Sequence, residues 1–512
     1  MIPHLKNHLA EATSLYLRQH AHDPVDWHVW DEKSLQLAKE QNKPIFLSIG
    51  YSACHWCHVM AEESFQDEET AKWLNQYFIC IKVDAQERPD LDKVYQTAYQ
   101  LMHKEPGGWP LTAMLTPGQH LPFFIGTYFP KVSTNGMPSF IDVITQVAHY
   151  YQQHGSTLEQ HQAPLLMAFS ILNEVIKQPP IDSMNDRPIT IARIEWEGDY
   201  DEIYGGFGSS PKFPHPSFLN GLMYYWYLTK KQNEEDHNAL KMVCTTLEKM
   251  ASSGIYDHIG GGFFRYAVDV AWQTPHFEKM LYDNAQLLTL CINSYQCVAD
   301  PLLKRVVHNL SDWILTDAQS DDGGFYSTWD SDTKEGEGAY YLWSNQEVQE
   351  TLSPSEHEMV KQYFGDQKHL KIIQPISKIA AQNKISIQEV EDTIESARMK
   401  LLKKRKNRTE PLCDKKILVS WNGLTIKAMV RCAIAFKDLK YKKSAEKALS
   451  FIYKKLYSDA TFYKWRAKHG GMEPSMVKRL RELEEENCRL KRMYANAQMD
   501  NEILKEALEK KF

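Results

Sequence analysis

The chain has 512 residues, of which 24% are charged and 43% hydrophobic, and its net charge is −7. This composition is typical of a globular protein with two or three domains, and the negative charge argues against non-specific binding to nucleic acid. No apolar run approaches the roughly 20 residues of a membrane helix, and the N-terminus lacks a signal-peptide pattern. Nine scattered cysteines make no disulfide framework. We therefore expect a cytoplasmic protein that binds no membrane.

The first 165 residues alternate short apolar runs with helical patterns. Each apolar run is bounded by turn residues and predicts a buried strand, while apolar residues at helical spacing predict helices between the runs. The predicted strands lie within 43–50, 79–85, 107–117 and 121–130, and the predicted helices lie within 60–78, 90–102 and 139–153. This alternation predicts an α/β domain over residues 1–165.

Two cysteines, Cys54 and Cys57, follow the first predicted strand in the stretch YSACHWCHVM. A Cys-x-x-Cys pair between a strand and a helix is the thioredoxin-type arrangement. The helix N-terminus favours a thiolate at Cys54, and Cys57 lies one turn later, where it can resolve a mixed disulfide. A protonated His55 would lower the thiol pKa further. Pro110, after Trp109 and before the third strand, is the candidate for a cis-proline that faces the dithiol.

Three other interpretations of this stretch stay open. Its spacing also matches covalent haem attachment, although that chemistry belongs to exported chains. The two cysteines and His58 supply three zinc ligands, whereas a structural zinc site needs about four. The thiols could also be plain buried side chains. We favour a redox site and expect neither a metal nor a cofactor. The predicted site consists of Cys54, Cys57 and Pro110 as catalytic residues, supported by His55, Trp56, His58 and Trp109.

Four stretches resemble the thioredoxin-like domain of the family that includes spermatogenesis-associated protein 20 and its bacterial relatives. They are NHLAEATSLYLRQHAHDPVDWHVW, SIGYSACHWCHVM, VDAQERPDLDKVYQTAYQLM and GGWPLTAML. The match runs from residue 7 to about residue 130, and plain thioredoxins lack the segment HAHDPVDWHVW. The resemblance implies a thioredoxin-like fold and a thiol-redox role, and for this family the role is inferred from the fold.

Residues 166–458 change to a succession of helical patterns with an internal repeat. The motifs YGGFG, GGGFFR and DGGFYS place phenylalanines at positions 207, 263 and 325, which are 56 and 62 residues apart. Repeated helix pairs joined by glycine-rich loops predict an all-α toroid or solenoid. The region resembles the second domain of the same family, which is similar to six-hairpin glycosidases and N-acylglucosamine 2-epimerases.

Polar and aromatic residues gather around the repeat motifs. Aromatic rings beside carboxylates and histidines suit a sugar ligand, because the rings stack on it while the polar groups run acid–base steps. The candidate cleft residues are His215, Asp257, His276, Glu278, Asp283, Asp330, Glu337, Trp421 and Asn422. In the epimerase-like enzymes that the region resembles, histidines act as acid and base, and His215 and His276 are the nearest candidates. The same residue types also build and cap loops, so a non-catalytic rim stays open.

The last segment, residues 459–512, has a different pattern. It carries a heptad run in which Leu483, Leu490 and Leu504 occupy core positions. Asparagines at two a positions, 487 and 501, favour a two-stranded coiled coil, so we expect self-association through residues 476–512. The segment resembles the end of the small DNA-binding subunit of IS3-type insertion sequences. Since only the last part of a helix-turn-helix precedes the heptads, we expect no binding to nucleic acid.

The helical region is short for a complete toroid. Six hairpins of about 55 residues would need roughly 330 residues, and only about 290 lie between position 165 and the tail. We therefore expect an incomplete toroid whose edge exposes apolar helix faces, and poor solubility or self-association as the result.

These patterns leave three functional hypotheses. The leading one is a thiol–disulfide oxidoreductase at Cys54 and Cys57, in which the toroid recognises a protein dithiol or disulfide partner. The second is a carbohydrate-active protein that acts on a sugar-like ligand in the toroid cleft. The third is a non-functional fusion of a truncated family member with a mobile-element fragment.

Overall fold

A five-stranded mixed sheet organises the N-terminal part of the chain in the computed structural model. Its strands are β1 (Trp27–Val29), β2 (Ile45–Gly50), β3 (Ile79–Asp84), β4 (Leu111–Leu115) and β5 (Pro122–Gly126). They lie in the order β1-β3-β2-β4-β5, in which β1, β3 and β2 are parallel and the β2–β4 and β4–β5 pairs are antiparallel. The structure describes residues 6–134, 136–173, 185–366 and 368–456.

Helices cover both faces of this sheet, and every residue of β2, β3 and β4 is buried. Side chains alternate between the faces, so Phe46 packs with Trp27 on one side while Ile45 and Leu47 pack on the other. The helices of this part are α1 (Leu15–Gln19), α2 (Glu32–Gln41), α3 (His55–Met60), α4 (Glu68–Tyr77), α5 (Pro89–His103), α6 (Phe140–His161) and α7 (Ala163–Asn173). The predicted thioredoxin-like α/β fold is confirmed.

The helical prediction for residues 60–78 is confirmed, but the structure divides this stretch between two helices. α3 passes at Ala61–Phe65 into a π-helical turn, and α4 then begins afresh. Asp67 starts the new helix because its side chain accepts a hydrogen bond from the Thr70 N–H at 2.9 Å. The four predicted strands are confirmed, whereas the three-residue β1 is too short to show a pattern in the sequence.

The second part of the chain is helical. Its helices are α8 (Arg187–Gly198), α9 (Pro216–Lys231), α10 (His237–Ser252), α11 (Leu281–Val298), α12 (Pro301–Trp313), α13 (Asn345–Thr351), α14 (Pro354–Phe364), α15 (Ile376–Asn383), α16 (Ile387–Arg405), α17 (Val419–Phe436) and α18 (Leu439–Phe451). α9, α11 and α17 lie side by side, and α8, α10 and α12 pack against them as a second layer. Helices α13 to α16 form an insertion with a hydrophobic core of its own, which the sequence did not predict.

Short strands connect these helices around the rim. They are β6 (Tyr266–Ala267), β7 (Pro275–His276), β8 (Lys279–Met280), β9 (Thr328–Trp329), β10 (Asp332–Thr333), β11 (Gly336–Glu337) and β12 (Cys413–Asp414). Three equivalent turns at the Gly-Gly-Phe motifs confirm the predicted repeat. The residue pairs that bridge these turns are Tyr200–Phe207, Tyr256–Phe263 and Gln319–Phe325.

The described residues hold part of the ring, and its predicted incompleteness stays a prediction. Seven of its helices are described, namely α8 to α12, α17 and α18, whereas six hairpins would use about twelve. The last two expose apolar side chains such as Val430, at 42%, and Leu439, at 64%. No helix among the described residues is long and apolar enough to cross a bilayer.

The chain divides into two compact units, Met1–Leu449 and Ser450–Phe512. The sheet and the ring both belong to the first unit. In the second, residues 450–456 are described, and they end in a π-helical turn at Ile452–Leu456. The coiled coil predicted for residues 476–512 lies outside the described residues.

Candidate functional site

The Cys54–Cys57 pair forms a disulfide at the junction of β2 and α3. Cys54 caps α3, and its Sγ accepts a hydrogen bond from the Cys57 N–H at 3.2 Å. Both residues are nearly closed off from solvent, with exposed fractions of 3% and 2%. The predicted placement of Cys54 at a helix N-terminus, one turn before Cys57, is confirmed.

A cis peptide bond joins Trp109 and Pro110, as predicted, and β4 follows it beside β2. The Trp109 ring lies 5.7 Å from the ring of Tyr51, and its Nε1–H donates to Asp92 Oδ1 at 2.9 Å. Tyr51 opens the loop that leads from β2 to Cys54. The cis-proline segment and the dithiol loop therefore pack together.

A buried lysine that the sequence analysis missed lies on the inner side of this loop. Gly50 keeps Cys57 and Tyr16 close, since a Cβ atom there would lie 2.6 Å from Cys57 Sγ and 2.5 Å from the Tyr16 hydroxyl. Lys82 Nζ lies 5.2 Å from the centre of the Tyr16 ring and donates to Ser48 Oγ at 3.2 Å. Burial lowers the pKa of Lys82 to about 7. A lysine within the apolar run ICIKVDA was the available signal.

The segment HAHDPVDWHVW builds the wall beside this lysine. Asp23 interacts through one carboxylate oxygen with His20 Nδ1 at 2.7 Å and accepts a hydrogen bond from the Trp27 indole N–H at 3.1 Å. Lys82 Nζ lies 4.4 Å from the centre of the Trp27 ring. The segment thus places a carboxylate and an aromatic face around an amine that the apolar core surrounds.

The helical ring covers the dithiol loop directly. The Tyr51 hydroxyl donates to Glu278 at 3.0 Å, and the Ser52 hydroxyl donates to Asp414 at 2.7 Å. Lys416 joins the two parts a second time, because its Nζ lies 2.5 Å from Asp84 Oδ2 and 3.1 Å from Asp414 Oδ2. Ser52, Glu278, Asp84 and Asp414 are buried, so the ring and the sheet share a polar interface around the cysteines.

Two histidines of the Cys-x-x-Cys segment meet carboxylates of the ring. His55 Nδ1 lies 2.8 Å from Asp332 Oδ2, and His58 Nδ1 lies 3.7 Å from the same oxygen. His58 Nε2 donates to the Ser52 carbonyl at 2.7 Å and lies 3.7 Å from Asp330. The hydrogen bond to Asp332 raises the pKa of His55. Burial, the largest effect, opposes protonation of His58, but Asp332 and Asp330 together raise its pKa to about 9.

His276 lies between two carboxylates of the same cluster. Its Nδ1 is 2.7 Å from Glu337 Oε1, its Nε2 is 2.9 Å from Glu278 Oε1, and its ring is 5.7 Å from the ring of His55. Burial again opposes protonation, but the two carboxylates raise the pKa of His276 to about 9. Burial also raises the pKa of Asp330 to about 6, although His58 opposes this. The cleft above the cysteines therefore holds imidazolium–carboxylate pairs.

Of the nine predicted cleft residues, the structure brings His276, Glu278, Asp330 and Glu337 to this cluster. The other five contact other protein groups. Asp257 binds Arg405 at 2.8 Å and Lys279 at 2.7 Å, Asp283 binds Arg265 at 2.6 Å, Asn422 binds the Phe325 backbone, Trp421 packs on Tyr282, and His215 stacks on Phe218. Asp257 and Asp283 therefore form ion pairs within the protein, and Asn422 supports a loop.

The supporting residues of the redox prediction also lie at this site. Trp56 is 46% exposed and packs on Tyr128, with 4.9 Å between the ring centres. Asp332, Asp414 and Lys416 also belong to the site, and the sequence did not predict them there. The stretches DSDTKEGEG and LCDKKIL carry these charges, but no local pattern connects them with a cysteine pair more than 270 residues away.

A metal would find at most a partial set of ligands here. His58, Asp330 and Asp332 bring ligand atoms within 4.8 Å of one another. However, His58 Nε2 donates to the Ser52 carbonyl, which leaves the ring only Nδ1 as a ligand. In the oxidised form, both sulfur atoms are bonded to each other, so neither is a free thiolate ligand.

Residues 6–170 match the family model Thioredox_DsbH, described as "Protein of unknown function, DUF255". Spermatogenesis-associated protein 20 of Mus musculus is 35% identical over an alignment of 491 residues that covers 89% of this chain and 62% of that protein. The resemblance to the spermatogenesis-associated protein 20 family is thereby confirmed. The chain spans less than two thirds of the length of this relative, and the match includes both the sheet and the helical ring.

The tail has different relatives. Residues 457–495 match the family model HTH_Tnp_1, described as "Transposase". A 10 kDa protein of insertion element ISR1 from Rhizobium sp is 58% identical over 55 residues, which are 11% of this chain and 62% of that protein. The predicted resemblance to insertion-sequence proteins is confirmed. A sugar epimerase structure from a ruminal bacterium is 13% identical to this chain, with a TM-score of 0.25. The match covers 52% of this chain and 86% of the epimerase chain.

Proposed function

We propose that the chain is a thiol–disulfide oxidoreductase in which Cys54 attacks and Cys57 resolves. The observation that carries the proposal is the set of groups around the two cysteines, namely a backbone N–H and two histidines that have carboxylate partners. The Cys57 N–H donates to Cys54 Sγ, and His55 and His58, which each follow a cysteine in the chain, lie near a carboxylate that favours their charged forms. Hydrogen-bond donors and nearby cations are what lower the pKa of an attacking thiol.

The reaction follows from this geometry. In the reduced chain, the Cys54 thiolate attacks one sulfur of a substrate disulfide, the substrate S–S bond breaks, and one thiolate leaves. Cys57 loses its proton and attacks Cys54 Sγ, which releases the second substrate thiolate and forms the Cys54–Cys57 disulfide. Two electrons pass from the cysteine pair to the substrate, and the two departing thiolates take up the protons that the cysteines give up.

The first test is a redox titration of the full chain. The protein is equilibrated in glutathione buffers and alkylated, and the peptide that carries both cysteines is weighed. We expect one reversible two-electron transition. Cys54→Ser should abolish exchange, and Cys57→Ser should accumulate a mixed disulfide, whereas Cys297→Ser, at an exposed cysteine, should change neither. Independent alkylation of the two thiols at every ratio would contradict the proposal.

The carbohydrate hypothesis receives less support from the same cluster. An acid–base histidine needs one ring nitrogen free to take a proton from the substrate. Both nitrogens of His276 are held by carboxylates, and the ring's raised pKa keeps both protonated at neutral pH. A panel of sugars that raised the melting temperature would favour this second hypothesis through ligand linkage.

A further inference from the structure

The loop that presents the cysteines is almost completely enclosed. Ser52 and Ala53 are each 2% exposed, and Cys54 and Cys57 are 3% and 2% exposed. The rate of thiol–disulfide exchange depends on whether the attacking sulfur can be reached. A folded protein that presents a disulfide needs a free surface around Cys54, and the helical ring occupies that surface.

Buried polar contacts hold the helical ring against the loop that presents the cysteines. Ser52 donates to Asp414, and Lys416 lies against both Asp84 and Asp414, whose side chains are 1% and 2% exposed. Lifting the ring away would separate buried opposite charges, which is unfavourable unless water replaces every contact. The enclosure is therefore a stable part of the fold and does not open freely for a large partner.

Several side chains next to the cysteine pair keep contact with solvent. The side chains of His55 and Asp332 are each 23% exposed, that of Glu337 is 37% exposed, and Trp56 is 46% exposed. His55 and Trp56 directly follow Cys54 in the chain. Cys54 itself is only 3% exposed, so a disulfide that approaches from this side has to be small enough to reach a nearly buried sulfur.

We propose that the substrate of the cysteine pair is a low-molecular-weight disulfide, such as that of a free thiol or a short peptide, and not a folded protein. This inference rests on the proposed oxidoreductase function and narrows its substrate class. It replaces the protein partner that the sequence predicted. The electron balance is unchanged, since one small disulfide accepts two electrons and leaves as two thiols.

The test compares two disulfides with very different access requirements. Reduced full chain is mixed with oxidised glutathione or with insulin, and formation of the Cys54–Cys57 disulfide is followed by alkylation and mass. Dithiothreitol, which needs no docking surface, reduces the same two disulfides in a separate reaction. For each disulfide, the rate with the protein is divided by the rate with dithiothreitol. Cys54→Ser gives the background from the other thiols.

We expect the normalised rate with oxidised glutathione to exceed that with insulin by at least about tenfold, because Cys54 is only 3% exposed and a small disulfide reaches its sulfur more easily. Equal normalised rates, or a faster reaction with insulin, would overturn the small-substrate inference and leave the oxidoreductase proposal standing. No exchange with either disulfide, while dithiothreitol reduces both, would overturn both proposals.

Discussion

Asp332 connects the helical ring with the cysteine pair through single side chains. It lies within 2.8 Å of His55 and 3.7 Å of His58, so its negative charge helps to keep both rings protonated. The charged rings then stabilise a thiolate at the neighbouring Cys54. The ring of helices thereby influences the chemistry of the sheet domain.

Asp332→Asn should therefore make Cys54 a weaker nucleophile at neutral pH. We expect the alkylation rate of Cys54 in the reduced chain to fall about tenfold at pH 7, because loss of the carboxylate lowers the pKa of both histidines and raises that of the thiol. The rate is measured against pH by mass analysis of the peptide. The midpoint should move to higher pH while the plateau at high pH stays the same.

The matched control is Asp366→Asn, which breaks an exposed ion pair with Lys361 and should leave the profile unchanged. A lower plateau with an unchanged midpoint in Asp332→Asn would mean that the residue only shapes the site. The idea that Asp332 sets the thiol pKa would then be wrong.

His58 should make a pH-dependent contribution to stability. Its pKa is about 9 in the folded chain against 6.5 as the ordinary value, so its stabilisation is complete below pH 6.5 and is lost as the pH rises through about 9. With the disulfide kept oxidised, we expect the free energy of unfolding of the wild type to exceed that of His58→Gln by about 3 kcal/mol near pH 6. At pH 9 and above the difference should be much smaller.

Urea denaturation of both chains at each pH gives this difference directly. Taking the difference removes the opposite contribution of Lys82, whose lowered pKa disfavours the folded state at low pH. His237→Gln, at a largely exposed residue, serves as the control. A difference between wild type and His58→Gln that does not change with pH would contradict the assignment.

At the scale of single residues, the sequence predicted what local pattern determines. Cys54 and Cys57 follow from the strand and the helix start that flank them, and the Trp109–Pro110 bond follows from the turn just before the third predicted strand. Asp332 could not be predicted as their neighbour, because it lies 277 residues from His55 and only the packing of the ring on the sheet joins them. Asp257 shows the reverse error, since its surroundings in sequence resemble a cleft while its buried ion pairs support a loop.

At the scale of elements, two asparagines perform the same task in successive repeats. Asn284 accepts a hydrogen bond from the Phe263 N–H at 2.6 Å and donates to its carbonyl at 2.9 Å. Asn422 binds the Phe325 N–H at 2.8 Å and the Phe325 carbonyl at 3.0 Å. Each asparagine lies near the start of its helix, at α11 and α17, and fixes the preceding Gly-Gly-Phe loop against it.

Asn284→Ala should leave a buried N–H and a buried carbonyl of Phe263 without partners. We expect a loss of about 3 kcal/mol in the free energy of unfolding, because each unsatisfied buried group costs about 1–3 kcal/mol. Asn220→Ala is the control in α9, since that side chain makes a single hydrogen bond, to the Pro216 carbonyl at 2.9 Å, and is only partly buried. Equal losses in the two variants, measured by urea denaturation, would show that Asn284 does not support the loop.

Some of the helices could be predicted from the sequence and others could not. Spacing of the Gly-Gly-Phe motifs was enough to predict the repeated helix pairs. The insertion of α13 to α16 was not recognised, because its helices have the same amphipathic pattern as those of the ring. Only three-dimensional packing assigns them to a separate core.

At the scale of the whole molecule, the ring and the sheet act as one unit because charged groups are buried where they meet. Lys416 is the only lysine or arginine among the described residues within 4 Å of Asp84 or Asp414. Its side chain is 10% exposed, and those of its partners are 1% and 2% exposed. A mutation of Lys416 should therefore weaken the interface between the sheet and the ring more than the hydrophobic core of either domain.

Lys416→Met should therefore destabilise the interface and loosen the cover over the cysteines. Removing one partner of a buried ion pair costs about 3–5 kcal/mol, since the remaining carboxylates stay desolvated without a counter-charge. Thermal unfolding should show a lower melting temperature, and the surviving folded protein should react faster with insulin while its rate with oxidised glutathione changes little. Lys440→Met, which breaks an exposed pair with Asp312, should cost less than about 1 kcal/mol and leave both rates unchanged. A Lys416→Met chain that melts like the Lys440→Met control would mean that the buried pair does not hold the two domains together.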